Sequence, residues 1–116
     1  MEPADVANFT YAEKYFISEI KDELNRISTA ENIKKATTTA IWNYLVMEGY
    51  TQEANHDGFL KKEQTQKGLE EGIETVYRTS ASGVEYTLLM YPEGIQKKIV
   101  QHFVDIKEDA LNMVLL

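Results

Sequence analysis

The sequence contains no cysteine, and this absence removes several kinds of chemistry at once. Without thiols the chain can form no disulfide, thiolate metal site, iron–sulfur cluster or cysteine nucleophile. Only 2 prolines and 6 glycines are present, and 43% of the residues are hydrophobic, which is typical of an ordered globule and not of a disordered chain. A length of 116 residues predicts a single domain, 1–116, large enough to fold around its own core.

Long apolar runs are also missing. No stretch approaches the roughly 18 apolar residues that a membrane-spanning helix needs. The first residues, MEPADVANF, are acidic and lack the basic and apolar segments of a signal peptide. We therefore expect a cytoplasmic protein that has no membrane partner.

Patterns that carry catalysis or bind metals are scarce as well. The two histidines lie far apart, no glycine-rich phosphate loop is present, and no histidine is paired with a carboxylate at a useful spacing. His56 and Asp57 are adjacent, but they fall in a predicted turn without a third ligand or burial. We expect a protein that is not an enzyme, with no catalytic residues, no metal site and no cofactor.

Negative charge dominates the chain, but its distribution is uneven. The formal net charge is −7. Residues 1–30 carry 6 acids and 3 bases, residues 31–68 carry 5 of each, and residues 69–116 carry 8 acids and 4 bases. The neutral middle of the chain holds Lys34, Lys35, Lys61, Lys62 and Lys67. That segment could therefore meet nucleic-acid phosphates while the acidic flanks face away.

Residues 36–48 predict the helix around which the rest of the chain is organised. Its inner side holds Thr38, Ile41, Trp42, Leu45 and Val46, with Trp42 expected in the core, and Gly49 stands where a helix commonly ends. Its outer side holds Ala36, Thr39, Ala40, Asn43 and Met47 and is small and polar in its N-terminal half. Such a side fits a major groove, where Asn43 can pair with adenine. As an alternative, the threonines only start the helix and Asn43 is solvated.

A hairpin is predicted directly after this helix, over residues 50–64. Its signal is Asp57-Gly58 between two strand-like runs. Lys61 and Lys62 alternate on the second strand, so that one of them can face a phosphate. Thr65 is then a suitable N-cap for a short helix, and Gly72 ends it.

The middle third of the chain resembles the winged helix-turn-helix proteins, such as the multiple-antibiotic-resistance-type and PadR-type regulators. The resemblance lies in Leu45, Gly49-Tyr50, the polar hairpin and the corner Thr65-x-Lys67-Gly68. It implies that helix 36–48 reads the major groove through Thr37, Thr39, Ala40 and Asn43. It also implies that hairpin 50–64 is a wing that contacts DNA through Lys61 and Lys62, and that terminal helices form a homodimer. The turn before helix 36–48 is shorter than in most such proteins, because residues 30–36 leave room for only a short helix.

The flanking segments complete an α+β prediction: a winged helix-turn-helix (core 9–72) with an additional C-terminal β-hairpin (73–91) and a terminal helix (92–115). A first helix over 9–27 follows from the spacing of Phe9, Phe16, Ile20, Leu24 and Ile27. In the added hairpin, Val84, Tyr86, Leu88 and Met90 are expected on one face, and Tyr77, Arg78, Tyr86 and Tyr91 are candidates for contacting a partner. Ile95, Ile99, Phe103 and Ile106 form a stripe on the terminal helix. We expect this stripe both to pack along the first helix and to form a homodimer.

Two functions are consistent with these patterns. The first is a DNA-binding transcriptional regulator whose contacts to double-stranded DNA come from Lys35, Thr37, Thr39, Ala40, Asn43, Lys61 and Lys62. The second is an acidic winged-helix interaction module or inhibitor that binds a basic nucleic-acid-binding protein and does not bind DNA. We expect the first function, and the net charge of −7 and the tyrosines of the added hairpin are the reasons for keeping the second as the alternative.

Overall fold

The computed structural model describes residues 3–28 and 36–115 of the chain, with side chains in the last helix described as far as Val104. After a short 3-10 helix, Pro3–Asn8, the elements are β1 (Lys14–Phe16), α1 (Ile17–Ile27), α2 (Thr38–Met47), β2 (Thr51–His56), β3 (Phe59–Gln64), α3 (Gln66–Glu70), β4 (Glu74–Thr79), β5 (Glu85–Pro92) and α4 (Glu93–Leu115). Over the described ranges these form a mixed α+β fold with two antiparallel sheets. In those ranges, too, no helix combines the length and the apolar character that crossing a bilayer demands.

The first sheet is the hairpin β2–β3, which confirms the strand pairing predicted for residues 50–64. Its register runs from Thr51 opposite Gln64 to His56 opposite Phe59. Asp57 and Gly58 form the turn with φ values of 52° and 89°, the left-handed conformation that Asp-Gly adopts readily in two-residue hairpin turns. The side chain of Asn55 accepts a hydrogen bond from the Gly58 N–H at 2.8 Å, which further fixes this turn.

The second sheet has three strands in the order β1-β5-β4, and it contains the predicted added hairpin. Leu89 and Tyr91 of the central strand β5 face the core. Val84, Tyr86 and Leu88 alternate with them on the outer side of the sheet, where they are 61%, 45% and 38% exposed. The shared face was predicted correctly, but Tyr91 is 1% exposed and cannot contact a partner.

The predicted helix over residues 9–27 is wrong in its first half. The helix begins at Ile17, and Lys14–Phe16 is the strand β1, which pairs with the end of β5. Extended backbone at Phe16 separates strand from helix, and the Glu19 carboxylate accepts the Phe16 N–H at 3.0 Å, as an N-terminal capping residue does. Ile20, Leu24 and Ile27 of α1 are nevertheless buried, and Phe9, in the segment before β1, reaches the same core, whereas Phe16 is only half-buried.

Helix α2 is three residues shorter than predicted and agrees with most of the predicted pattern. Ile41, Trp42 and Leu45 are buried, which confirms the core position of Trp42. Val46 is 42% exposed and does not belong to the inner side. It follows Asn43 by three positions and therefore lies on the outer side of the helix. The short helix predicted over residues 30–36 lies outside the described residues except for Ala36, whose N–H and C=O are both bonded to the side chain of Asn25.

The core joins α1, α2, the inner side of the second sheet and the first half of α4. Ile95 and Ile99 of α4 are 1% and 0% exposed, and Gln96, Val100 and Val104 are buried beside them. These two isoleucines therefore pack within the chain's own fold, as the packing half of the prediction requires, and they are not available to a second subunit. Phe103 packs partly against the same core, and the side chain of Ile106 lies outside the described residues.

Candidate nucleic-acid interface

The outer side of α2 is exposed and carries no charge. Thr37 caps the helix by accepting the Ala40 N–H at 3.1 Å. The hydroxyl of Thr37 thus starts the helix, as the alternative interpretation of the threonines predicts. With Ile41 and Leu45 fully buried, Thr39, Ala40 and Asn43 are turned outward, and all three are exposed. The ten residues Thr38–Met47 include no acid and no base. The backbone of α2 can thus approach another molecule closely, and its polar contacts come from neutral side chains.

The corner Thr65-x-Lys67-Gly68 ties the end of the hairpin to the end of α2. The Thr65 hydroxyl donates to the Gly49 carbonyl at 2.6 Å and accepts the Gly68 N–H at 3.1 Å. The Lys67 ammonium donates to the Glu48 carbonyl at 2.8 Å, where it satisfies a free carbonyl at the helix C-terminus. These bonds fix the direction in which the hairpin β2–β3 leaves the helix.

Lys62 brings the second strand of the hairpin next to α2. Its ammonium lies 5.0 Å from the centre of the Trp42 ring, within the range of a cation–π contact. Glu53 is directly opposite Lys62 on β2, and both side chains are exposed. Lys61 is on the other face of the same strand, because successive side chains of a strand alternate. The two lysines therefore extend the surface of α2 along both faces of β3.

Most basic side chains that the structure describes are engaged within the protein. Four make ion pairs: Lys14 with Glu74, Lys21 with Asp22, Arg26 with Glu23, and Lys97 with Glu93. Lys67 and Lys98 donate hydrogen bonds to Glu48 and Tyr50. In the part of the chain with described side chains, Lys61, Lys62 and Arg78 are the bases that have neither a hydrogen bond nor an ion pair.

These three cations line one open groove between β3 and the β4–β5 hairpin. The volume of the groove is about 970 Å³, and its other lining residues are Leu60, Tyr77, Thr79, Glu85, Tyr86 and Thr87. Further along the same two strands the Thr75 hydroxyl donates to the Gln64 side chain at 3.0 Å, which joins the two hairpins. Tyr77 is 76% exposed and Tyr86 45% exposed. The groove therefore combines positive charge with accessible aromatic rings.

The sequence pattern located the parts of this surface but not their combination. Thr37 is the N-cap of α2, and Thr39, Ala40 and Asn43 lie on that helix. Lys61 and Lys62 lie on β3, and Lys35 falls outside the described residues. Arg78 and the two tyrosines were assigned to a separate hairpin, since nothing in their local spacing indicates that they face the lysines of β3. In the described residues no group of three His, Asp or Glu side chains comes together as a metal site would require.

No protein-family model, curated protein or solved structure matches the chain. Support for a function therefore comes from the side chains themselves. The groove and the outer side of α2 share the strand β3, so that they form one continuous candidate surface, which we call the α2–groove surface.

Proposed function

We propose that this chain is a winged-helix protein that binds double-stranded DNA and acts as a transcriptional regulator. In this proposal α2 enters the major groove, and the hairpin β2–β3 is the wing that contacts the backbone. The observation that supports it most is the position of unpaired lysines directly beside an exposed and uncharged helix face. In this chain of net charge −7, most of the described basic side chains are bonded to other groups of the chain itself. The unpaired lysines of β3 lie beside α2, whose small outer side fits a DNA major groove.

The exposed side chains of α2 and the lysines near it make different contacts with DNA in this proposal. The Asn43 amide is suited to a bidentate pair with the N6 and N7 atoms of adenine. Thr39 can donate its hydroxyl to a phosphate or base, and the small Ala40 leaves room for the backbone to approach and offers a methyl group to thymine. Lys61 and Lys62 contact phosphates, which positions the helix without reading sequence. Lys35 precedes α2 in the chain and would add a further phosphate contact.

The test measures affinity and sequence preference separately. Selection from a randomised duplex pool is expected to yield a motif that contains adenine, and Asn43→Ala should relax the preference at one position. Lys61→Ala combined with Lys62→Ala should weaken binding to all duplexes and lower the slope of log K against log salt by about 2. Lys21→Ala with Lys97→Ala is the matched control, because it removes the same charge from paired lysines elsewhere. Unchanged affinity and preference in the α2 and β3 variants would refute the proposal.

A homodimer remains part of the proposal, with a changed interface. Because Ile95 and Ile99 are in the core, the subunit contact has to use other residues of α4, among which Phe103 is half-buried. The mass in solution, measured over a range of concentrations on the sample used for DNA binding, decides between monomer and dimer.

A second candidate function is an interaction module that binds a basic nucleic-acid-binding protein. The outer face of the second sheet favours it, because Val84, Tyr86 and Leu88 are exposed there as a row of apolar side chains. This candidate predicts no duplex binding at about 0.1 M salt, together with a salt-sensitive complex with a basic protein. It is wrong if pull-downs at low salt recover no basic protein.

A further inference from the structure

We propose that the groove between β3 and the β4–β5 hairpin binds a single strand of nucleic acid, so that the preferred ligand is a duplex with an unpaired extension. This inference rests on the proposed function, which places the duplex against α2 and the wing β2–β3. Lys61 and Lys62 belong both to the wing and to the groove wall. A strand that leaves the duplex at the wing therefore passes directly into the groove.

Charge is the first reason for assigning a nucleic-acid strand to this groove. Lys61, Lys62 and Arg78 line it and make no hydrogen bond or ion pair within the part of the chain whose side chains are described, and Glu85 is the one acid among the described lining residues. The groove is thus locally positive in a protein of net charge −7. Cations without internal ion pairs can form new ones with phosphates without breaking existing ones.

The aromatic rings are the second reason, and they distinguish a single strand from a duplex. Tyr86 lies directly opposite Arg78 across the β4–β5 pair, and Tyr77 immediately precedes Arg78 on β4. Rings that are 45% and 76% exposed offer flat surfaces to a ligand. Base faces are hidden by stacking inside a duplex but accessible in a single strand, where stacking on aromatic side chains tolerates any sequence. The Arg78 guanidinium can either stack on a base or grip a phosphate with two donors.

The lining residues also favour nucleic acid over an extended peptide. The edges of β3 and β4 that face the groove are unpaired in the described sheets, so a peptide strand could in principle add to either. Recognition of this kind uses apolar pockets for alternate side chains, and Leu60 is the only large aliphatic side chain among the lining residues that the structure describes. A peptide is therefore the outcome that the test has to separate from a nucleic-acid strand.

The experiment compares three labelled ligands by fluorescence anisotropy at one salt concentration: a blunt duplex, the same duplex with an oligo-dT extension, and oligo-dT alone. The extension is expected to raise affinity about tenfold over the blunt duplex. Tyr77→Ala combined with Tyr86→Ala should abolish this gain and leave blunt-duplex affinity unchanged. Leu69→Ala is the control, because Leu69 is 54% exposed on α3 and does not line the groove. Melting curves of all variants should agree, since each substituted side chain is exposed.

The outcomes separate this inference from the proposed function. If both duplexes bind equally and the tyrosine variant behaves as the parent, the groove proposal is wrong and duplex binding stands. If only oligo-dT binds, with the same dependence on the tyrosines, the duplex proposal is wrong and the groove retains its ligand. In a third outcome, oligo-dT does not bind and the extension does not raise duplex affinity, but a poly-glutamate peptide binds and its affinity falls in Arg78→Ala. The groove is then a peptide site, and this inference is overturned.

Discussion

Gly68 occupies a position in which no side chain fits. A Cβ there would lie 2.1 Å from the Tyr50 carbonyl oxygen and 3.2 Å from Cδ1 of Ile73. Neither neighbour can move easily, because the Tyr50 carbonyl accepts the Thr65 N–H at 3.0 Å and Ile73 is fully buried. Glycine is thus required at the last position of the Thr65-x-Lys67-Gly68 corner, because α3 lies so close to the start of the hairpin.

We therefore predict that Gly68→Ala lowers the free energy of unfolding by about 3 kcal/mol, the upper range for overpacking a core position. Thermal unfolding measures the change. Gly94→Ala is the matched control in α4, where nothing lies within 4 Å of the added methyl group. It should leave stability unchanged or raise it by up to about 1 kcal/mol, because alanine favours the helix. Equal melting temperatures for the two variants would contradict the prediction.

Glu23 links the stability of the chain to pH. Hydrogen bonds from Arg26, and secondarily from the Thr10 N–H at 2.6 Å, lower the pKa of Glu23 from 4.5 to about 2. A lowered carboxyl pKa contributes stability that is fully present above the unfolded value of 4.5 and is lost as pH falls toward 2. The Glu23 side chain is only 12% exposed, so solvent screens this interaction incompletely.

The prediction is that Glu23→Gln lowers the melting temperature at pH 7 and flattens its decline between pH 4.5 and 2. Melting curves at several pH values measure both effects. Glu13→Gln removes the same charge from an exposed residue and should preserve the parent profile. A Glu23→Gln profile parallel to that of the parent would show that the Arg26 contact does not control the acid response.

Among the elements, β1 depends on α4 through one buried amide. Gln96 is fully buried, and its side chain donates to the carbonyls of Ala12 at 3.0 Å and Tyr91 at 2.9 Å and accepts the Ala12 N–H at 3.2 Å. These bonds satisfy the backbone just before β1 and at the end of β5. A polar residue within an apolar helix stripe thus holds the edge strand on the sheet.

Gln96→Leu keeps the volume of this side chain and removes all three hydrogen bonds. We predict a loss of about 2 kcal/mol or more in the free energy of unfolding, because the Ala12 and Tyr91 backbone groups lose a partner in a buried place. Gln66→Leu, at an exposed position of α3 where the amide donates to the exposed Glu70 at 3.4 Å, should change stability by less than about 0.5 kcal/mol. Denaturant unfolding measures both, and similar midpoints for the two variants would be contrary to this prediction.

The elements also show which parts of the fold can be predicted from sequence. Asp57-Gly58 and Thr65 were identified correctly because a turn or a cap is determined by adjacent residues. β1 was missed because Phe9 and Phe16 fit helical spacing, and only pairing with Tyr91, far along the chain, makes Tyr15 a strand residue. The groove depends in the same way on the mutual position of two hairpins, which no local pattern encodes.

The wing allows a charge prediction at the level of one strand pair. Glu53 lies opposite Lys62 and reduces the positive potential that a phosphate would meet there. If the wing contacts DNA, Glu53→Gln should raise affinity for every duplex about twofold to fivefold, the range expected for exposed charge pairs. Glu13→Gln changes the net charge equally outside the wing and should have a smaller effect. Anisotropy at about 0.1 M salt compares them, and equal affinities would indicate that the wing does not approach DNA.

At the level of the whole molecule, a net charge of −7 repels any polyanion, and this repulsion acts over a longer distance as the salt concentration falls. The cations that can offset it are few, because most described bases are bonded within the chain. Lys61, Lys62 and Arg78 remain, together with Lys34, Lys35 and Lys107, whose side chains are not among those described. The number of phosphate contacts that these bases can make for each subunit is therefore limited to about six.

This limit predicts the salt dependence of duplex binding. The slope of log K against log salt should be no steeper than about −5 for each bound subunit, and it should flatten below about 0.05 M salt, where the acidic remainder is no longer screened. Anisotropy over a salt series, with the mass of the complex measured on the same sample, gives the slope per subunit. A steeper slope would require lysines now bonded within the fold to be released on binding. A slope near zero with measurable affinity would mean that the duplex is held without phosphate contacts, and the α2–groove surface would then not be a nucleic-acid interface.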